Sequence, residues 1–166
     1  MVDAEEAQEK RFPQWLGIAL LVLFLPVVLV FLLGYLAYGL LLHLVVWLWW
    51  LPRGKSVLVV TSDSPVWAQY MADRVVSALG QEAIVLNWSE RSRWPKLPSV
   101  QVMAFRYFGR GREFNPLVVV FRPLRLARTF RFWKPFREYK HGSSEGVEAL
   151  TERVLQYSGR QYVRAA

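Results

Sequence analysis

Ser62, Asp63 and His141 supply the residue types of a hydrolase triad, in which a serine attacks, a histidine takes its proton and a carboxylate orients the histidine. Their surroundings argue otherwise. No Gly-x-Ser-x-Gly elbow encloses Ser62, and His141 stands in a turn-like Lys140-His141-Gly142 ahead of a helical pattern. The chain has 2 histidines and no cysteine, which leaves little for a transition metal and nothing for disulfide or thiol chemistry. Gly109-Arg110-Gly111-Arg112 lacks the third glycine and helix start of a nucleotide fingerprint. No cofactor, no metal and no catalytic residue is expected. Three polar segments remain: Ser62, Asp63, Ser64 and Trp67; Asn87, Ser89, Glu90 and Arg91; and Asn115 with Pro116. One reading is a ligand edge, where the free amides at the start of a Pro65 helix, with Arg91 and Arg93 nearby, hold a small carboxylate or phosphate. The other gives each residue an ordinary structural role, in which Ser64 and Asp63 cap the helix, Asn87 and Ser89 make a turn, and Glu90 pairs with an arginine.

The elements that must position these residues follow from periodicity. Ser56 to Thr61 is a short β-branched run that suits a buried strand. Ser64-Pro65 starts a helix with Ala68, Met71, Ala72, Val75 and Leu79 at helical spacing, closed by Gly80. Ala83 to Leu86 reads as a second buried strand. After the Trp94 to Pro98 loop, Ser99 is placed to cap a helix carrying Val100, Met103 and Tyr107. Leu117 to Phe121 is a third strand and Thr129 to Phe136 the site of a fourth, while Gly142-Ser143-Ser144 opens a helix with Val147, Leu150, Val154 and Leu155 on one face. The expected class is α/β.

This β-α-β-α-β-β-α order over residues 56 to 158 resembles the thioredoxin-like superfamily. Members carry a functional turn between the first strand and first helix, matched here by Thr61 to Trp67, and a cis-proline before the third strand, matched by Asn115-Pro116. The Cys-x-x-Cys motif is absent, so the resemblance does not carry oxidoreductase chemistry. It implies that Ser62 to Trp67, Asn87 to Arg91 and Asn115-Pro116 share one edge of the sheet, where open α/β sheets tend to bind ligands. Ser-Asp-Ser-Pro and Asn-Trp-Ser-Glu-Arg also resemble segments of bacterial membrane proteins, and no function comes with that likeness.

Ahead of this domain, Trp15 to Leu51 is an unbroken apolar run whose only strongly polar member is His43. At about 1.5 Å per residue it would extend roughly 55 Å as one helix, against a hydrocarbon core of about 30 Å. Two geometries fit. In one, a hairpin splits near Gly34, placing Trp15 and Trp47, Trp49 and Trp50 in one interface with Lys10, Arg11, Arg53 and Lys55. In the other, a single tilted helix ends near Tyr38 and continues as a segment leaving the bilayer at a shallow angle, so that no turn must satisfy its backbone in lipid. The Leu-Pro-Arg-Gly-Lys that follows is no small-residue cleavage motif and reads as the end of a retained anchor. Pro26, Gly34 and Gly39 are ordinary in membrane helices. His43, an ionisable group inside the run, is a functional suspect by default, yet no acidic partner accompanies it there. The expected organisation is a polar tail over 1–14, a membrane anchor over 15–51 and a basic thioredoxin-like domain over 52–166.

Residues 52–166 hold 19 of the 21 bases and 9 of the 13 acids, a net charge of about +10. From Arg91 to Lys140 there are 13 Lys or Arg, against Glu113 and Glu138 alone. Arg122, Arg125, Arg128, Arg131, Lys134, Arg137 and Lys140 form the densest stretch, interleaved with aromatic residues. In an extended chain Phe130, Phe132 and Phe136 would face inward and Arg131, Trp133 and Arg137 outward. An anionic neighbour is implied. Lipid headgroups suit a tethered domain best, a membrane-protein partner is the second candidate, and nucleic acid the least favoured. The expected function is a non-catalytic, membrane-anchored binding or scaffold module. Its rival is an enzyme using the loop edge on a small anionic substrate. The Lys/Arg excess after the run predicts a cytoplasmic domain, and the resemblance to bacterial membrane proteins implies a bacterial inner membrane.

Overall fold

The computed structural model describes residues 14–94, 98–110 and 116–160. Residues 1–13 of the polar tail and Asn115 lie outside them. The apolar run folds as one helix, α1 (Gln14–Val45), continued by a π-helical turn, Val46–Trp50, and a 3-10 turn, Leu51–Arg53. The hairpin alternative is therefore set aside, and Tyr38 is not a helix end. Nothing around Gly34 competes with the intrahelical hydrogen bonds. The stop comes at Gly54, whose left-handed φ of +69° lets its N–H donate to the Leu51 carbonyl at 2.9 Å while Lys55 N–H reaches Trp50 at 3.0 Å. Leu20–Arg53 is long and apolar enough to cross a membrane.

The chain divides into two compact units, with the boundary inside α1 between Tyr38 and Gly39. In the first, apolar side chains such as Leu21, Val30 and Phe31 are exposed along the helix. The second contains a four-stranded mixed sheet, ordered β2-β1-β3-β4. Its strands are β1 (Val57–Thr61), β2 (Ala83–Asn87), β3 (Leu117–Arg122) and β4 (Arg125–Arg131). β2 runs parallel to β1, β3 antiparallel to β1, and β4 antiparallel to β3. After a loop over 62–67 the β1–β2 crossover is helical: α2 (Ala68–Tyr70), a π-helical Met71–Val76, α3 (Ser77–Leu79) and a 3-10 turn, Gly80–Glu82. α4 (Val100–Phe108) precedes β3, and α5 (Trp133–Tyr139) and α6 (Glu145–Ser158) follow β4.

Three local expectations are corrected. β2 lies at the edge of the sheet, so Leu86 is its one buried residue and Val85 is 48% exposed. α4 buries Val102, Ala104 and Phe105 with Val100 half-buried beside them, whereas Met103 and Tyr107 lie off this stripe, because contact with the sheet selects a stripe rotated from the one expected. β4 ends at Arg131, and the chain turns into α5, where Pro135 occupies the first turn that tolerates it. Phe130, Phe132 and Phe136 still meet in one core, Phe136 reaching it from one helical turn beyond Phe132.

Each face of the sheet carries its own core. Val57, Val59, Val118, Val120 and Phe130 pack against Met71, Val75 and Leu79 of the crossover, Phe136 of α5, and Val147, Val154 and Leu155 of α6. Leu58, Val60, Leu117, Val119 and Phe121 form the other face, covered by α4 and by Val46 and Trp50. The end of the apolar run thus belongs to the domain core. Leu42, Val46 and Trp50 are buried at helical spacing, each contributing about 1.5–3 kcal/mol. His43 shares this buried side. Ala127 N–H donates to its Nε2 at 2.9 Å, and its Nδ1 faces the Gly39 carbonyl at 2.9 Å, an arrangement that requires a neutral ring with the proton on Nδ1. The ring also meets Phe108 and Trp47 edge-on, with centroids 4.7 and 5.8 Å away. A Cβ at Gly39 would collide with the Tyr107 ring, whereas one at Gly34 would meet nothing.

These contacts set two expectations. His43→Ala, measured by denaturation of the full chain in micelles, should cost about 2–4 kcal/mol through lost packing and an orphaned Ala127 N–H. Gly39→Leu should cost about 1–3 kcal/mol by overpacking, with Gly34→Leu close to neutral in the same measurement.

Candidate functional site

The register of the sheet brings the sequence-selected loops together. Thr61 pairs with Asn87 across β1 and β2, and Val60 pairs with Leu117 across β1 and β3. The segments after β1, after β2 and before β3 therefore lie at one end of the sheet. Pro116 holds its place by accepting Phe132 N–H at 2.9 Å. The Asn115–Pro116 peptide bond lies outside the described residues.

Within this edge the polar groups bond to one another. Asn87 Nδ2 donates to Asp63 Oδ1 at 2.9 Å, Asn87 Oδ1 accepts Ser89 N–H at 2.9 Å, and Ser89 Oγ accepts Asp63 N–H at 3.0 Å. Together they tie the β1 loop to the β2 loop. Ser62 is buried, and its Oγ accepts the Trp67 indole N–H at 3.1 Å. Ser64 lies within the loop, since α2 starts at Ala68 rather than at Ser64-Pro65: its carbonyl accepts Ala68 N–H at 2.9 Å and its hydroxyl takes Val66 N–H at 3.4 Å. Glu90 pairs with Arg93 at 3.6 Å on the 3-10 segment Trp88–Arg93, and Arg91 stacks over Trp88 at 5.3 Å. His141 forms no hydrogen bond to Ser62 or Asp63, whose partners are Trp67 and Asn87. A triad is not assembled.

A second feature beside this edge was not legible as a site. A cavity of about 400 Å³ lies between the loop residues Ser64, Val66 and Trp67 and the α5 side, where Trp133, Phe136, Arg137, Lys140 and His141 line it. Its floor is aromatic, with Trp67 and Trp133 edge-on at 6.4 Å and Trp67 and Phe136 at 6.0 Å. Trp133 and Arg137 stand four residues apart on one face of α5, with His141 in the turn beyond it, a spacing that carries no signal in an extended chain.

The basic stretch divides by element. Arg125, Arg128 and Arg131 lie on β4, whereas Lys134 and Arg137 lie on α5 and Lys140 follows it. Arg131 has a structural role, since its Nη2 donates to the Gly109 carbonyl at 3.3 Å beyond the end of α4. Arg122 and Arg128 stack on Tyr157 of α6, at 5.6 and 5.2 Å from the ring centroid. Arg125, Arg128, Lys134, Arg137 and Lys140 are exposed.

Asn87→Ala removes one of the two bonds that join the loops, together with the local bond to Ser89 N–H, so unfolding free energy should fall by about 1 kcal/mol, read as a lower denaturant midpoint at unchanged slope. Unchanged stability would mean that water replaces these exposed bonds at no cost. No family model, curated protein or solved structure matches the chain.

Proposed function

We propose that the protein is a membrane-anchored, non-catalytic binding or scaffold module that holds a basic domain of the thioredoxin-like kind against anionic lipid headgroups. The anchor reading is supported by the length and apolarity of Leu20–Arg53. The thioredoxin-like reading is supported by a 2-1-3-4 strand order in which only the third strand runs against the others. The Lys/Arg excess beyond the run supports a domain on the cytoplasmic side of that membrane.

The observation that carries the lipid reading is the tip of the β3–β4 hairpin. Leu124 and Leu126 are 87% and 81% exposed, and Arg122, Arg125 and Arg128 flank them. Leu124 also has a φ of +55°, a left-handed backbone that favours glycine or asparagine. Two bare leucines, one of them in a strained turn, suit an apolar interface better than water. The hairpin is adjacent to the end of the apolar run: Pro123 lines a shallow cavity with Leu51 and Gly54. There Leu48 and Trp49 are 76% and 58% exposed, and Arg53 stacks on the Trp49 ring at 4.0 Å, a pairing suited to the headgroup level. The rival enzyme reading has less support, because the Ser62, Asp63, Asn87 and Ser89 groups at the loop edge are engaged with one another or with Trp67.

The chain has no cysteine, so one introduced thiol labels one site. A polarity-sensitive fluorophore on Leu126→Cys, in vesicles containing phosphatidylglycerol, should emit blue-shifted light and be quenched by a lipid-borne quencher. The effect should weaken in neutral vesicles, while Leu29→Cys reports an embedded anchor in both. Equal emission at Leu126→Cys in the two vesicle types would overturn the anionic-lipid assignment. A label shielded from iodide yet insensitive to the lipid-borne quencher would replace lipid with a protein partner. An aqueous signal from Leu29→Cys would remove the anchor.

A further inference from the structure

Beside the hairpin, on the α6 side, lies a second cavity of about 250 Å³, lined by Arg122, Arg128, Phe130, Arg153, Gln156 and Tyr157. At about 30 Å³ per water this is room for roughly eight waters, or a phosphate with the carbons that carry it. Its three arginines come from β3, β4 and α6. Arg122 and Arg128 stand on the same ring, Tyr157, at 5.6 and 5.2 Å from its centroid, and Arg128 is also 5.3 Å from Phe130. Arg153 precedes Tyr157 by one helical turn on α6, so the two share a side of that helix. A slip in register between Val120 and Arg122 sets how the hairpin presents the other two, since Val120 pairs with Arg128 but Arg122 with Arg125.

Among the described residues no carboxylate pairs with any of the three, and the ion pairs formed by Arg93 and Arg160 lie on other elements. Cations gathered on one cleft repel, and the aromatic faces offset only part of that cost. A bound anion removes it. The guanidinium forks match the oxygens of a phosphate bidentately. A phosphomonoester carries about −1.5 to −2 charge and three terminal oxygens, whereas a phosphodiester carries about −1 and two. Three arginines therefore suit the monoester, and Gln156 and Tyr157 add neutral donors.

We propose that the cleft formed by Arg122, Arg128 and Arg153 binds a phosphomonoester group. The group has two possible sources, a phosphatidic acid headgroup or a soluble phosphomonoester; the lipid source rests on the membrane reading above, and the soluble source does not.

The full chain in neutral nanodiscs is titrated calorimetrically with glycerol 3-phosphate. In parallel, chain from nanodiscs holding equal mole fractions of phosphatidic acid and phosphatidylglycerol is examined by native mass spectrometry for retained lipid. The expected result is saturable binding of glycerol 3-phosphate, or preferential retention of phosphatidic acid. Either should weaken about tenfold or more in Arg128→Ala and Arg153→Ala. Arg153→Lys, which keeps the charge and loses the fork, should fall between, and Arg74→Ala, exposed on the crossover helix outside the cleft, should match the parent. Arg153 is exposed on α6, so its replacement leaves the fold intact and a loss reads as lost binding. Binding in solution alone identifies a soluble ligand, and retention of phosphatidic acid alone identifies the lipid. The proposal is overturned if neither binds, if phosphatidylglycerol or a single-stranded oligonucleotide binds as well as the monoester, or if Arg153→Ala changes nothing. None of those outcomes alters the Leu126→Cys readout, by which the membrane reading is judged separately.

Discussion

A sheet whose central strands are apolar on both faces must be covered twice, and the rest of this structure depends on how the second cover is made. β1 and β3 are buried from Val57 to Val60 and from Leu117 to Phe121. The crossover helix, α5 and α6 close one face. The other receives α4, only 9 residues long, and the remaining area is closed by Val46 and Trp50 at the end of the apolar run. Exposed and core-facing side chains therefore alternate around the same few turns: Leu41 and Leu48 are exposed, while Leu42, Val46 and Trp50 are buried. A segment that composition assigns wholly to a membrane is there part of a protein interior.

His43 makes this arrangement specific as well as apolar. Hydrophobic packing alone is tolerant of small rotations, but a ring that accepts one backbone N–H and donates to one carbonyl permits a single orientation. Its partner Ala127 lies where the hairpin register slips between Val120 and Arg122, so the imidazole also satisfies a donor in an irregular part of an edge strand. Gly39 serves the same packing by absence, since only a residue without Cβ leaves room for the Tyr107 ring. Helix, histidine and hairpin are thus one packing problem, and the exposed leucines and strained Leu124 backbone sit at its margin.

The cations show how a strongly basic chain limits self-repulsion by means other than ion pairs. Exposure screens most of them, and several lie on aromatic faces: Arg53 on Trp49, Arg91 on Trp88, and Arg122 and Arg128 on Tyr157. Arg131 instead satisfies the Gly109 carbonyl. What reads along the chain as one basic stretch becomes separate environments, an arginine cleft on the α6 side and a cationic rim on the aromatic cavity beside α5. The loop edge is different again, since its polar groups fasten two loops together.

Elements whose burial follows from their own periodicity were legible in the residues. β1 and β3 are continuous β-branched runs, α6 carries Val147, Val154 and Leu155 on one face, and the apolar run is helical because its composition and length admit little else. The convergence of Asp63, Asn87 and Pro116 was expected only by way of the resemblance, and in the structure the strand pairing brings those loops to one end. Elsewhere local preference left several answers open. β2 could be central or edge, α4 could bury either of two stripes, and Phe130, Phe132 and Phe136 could align in a strand or across a strand and a helix. Those choices depend on which surface arrives from a distant part of the chain. The same holds for His43, whose partner is 84 positions away, and for Arg153, which reads alone as a solvated helix face. By itself the sequence determined composition, charge and the strongly periodic elements, which are properties of neighbours along the chain. Tertiary structure alone decided which apolar face met which, because burial is a property of pairs of surfaces.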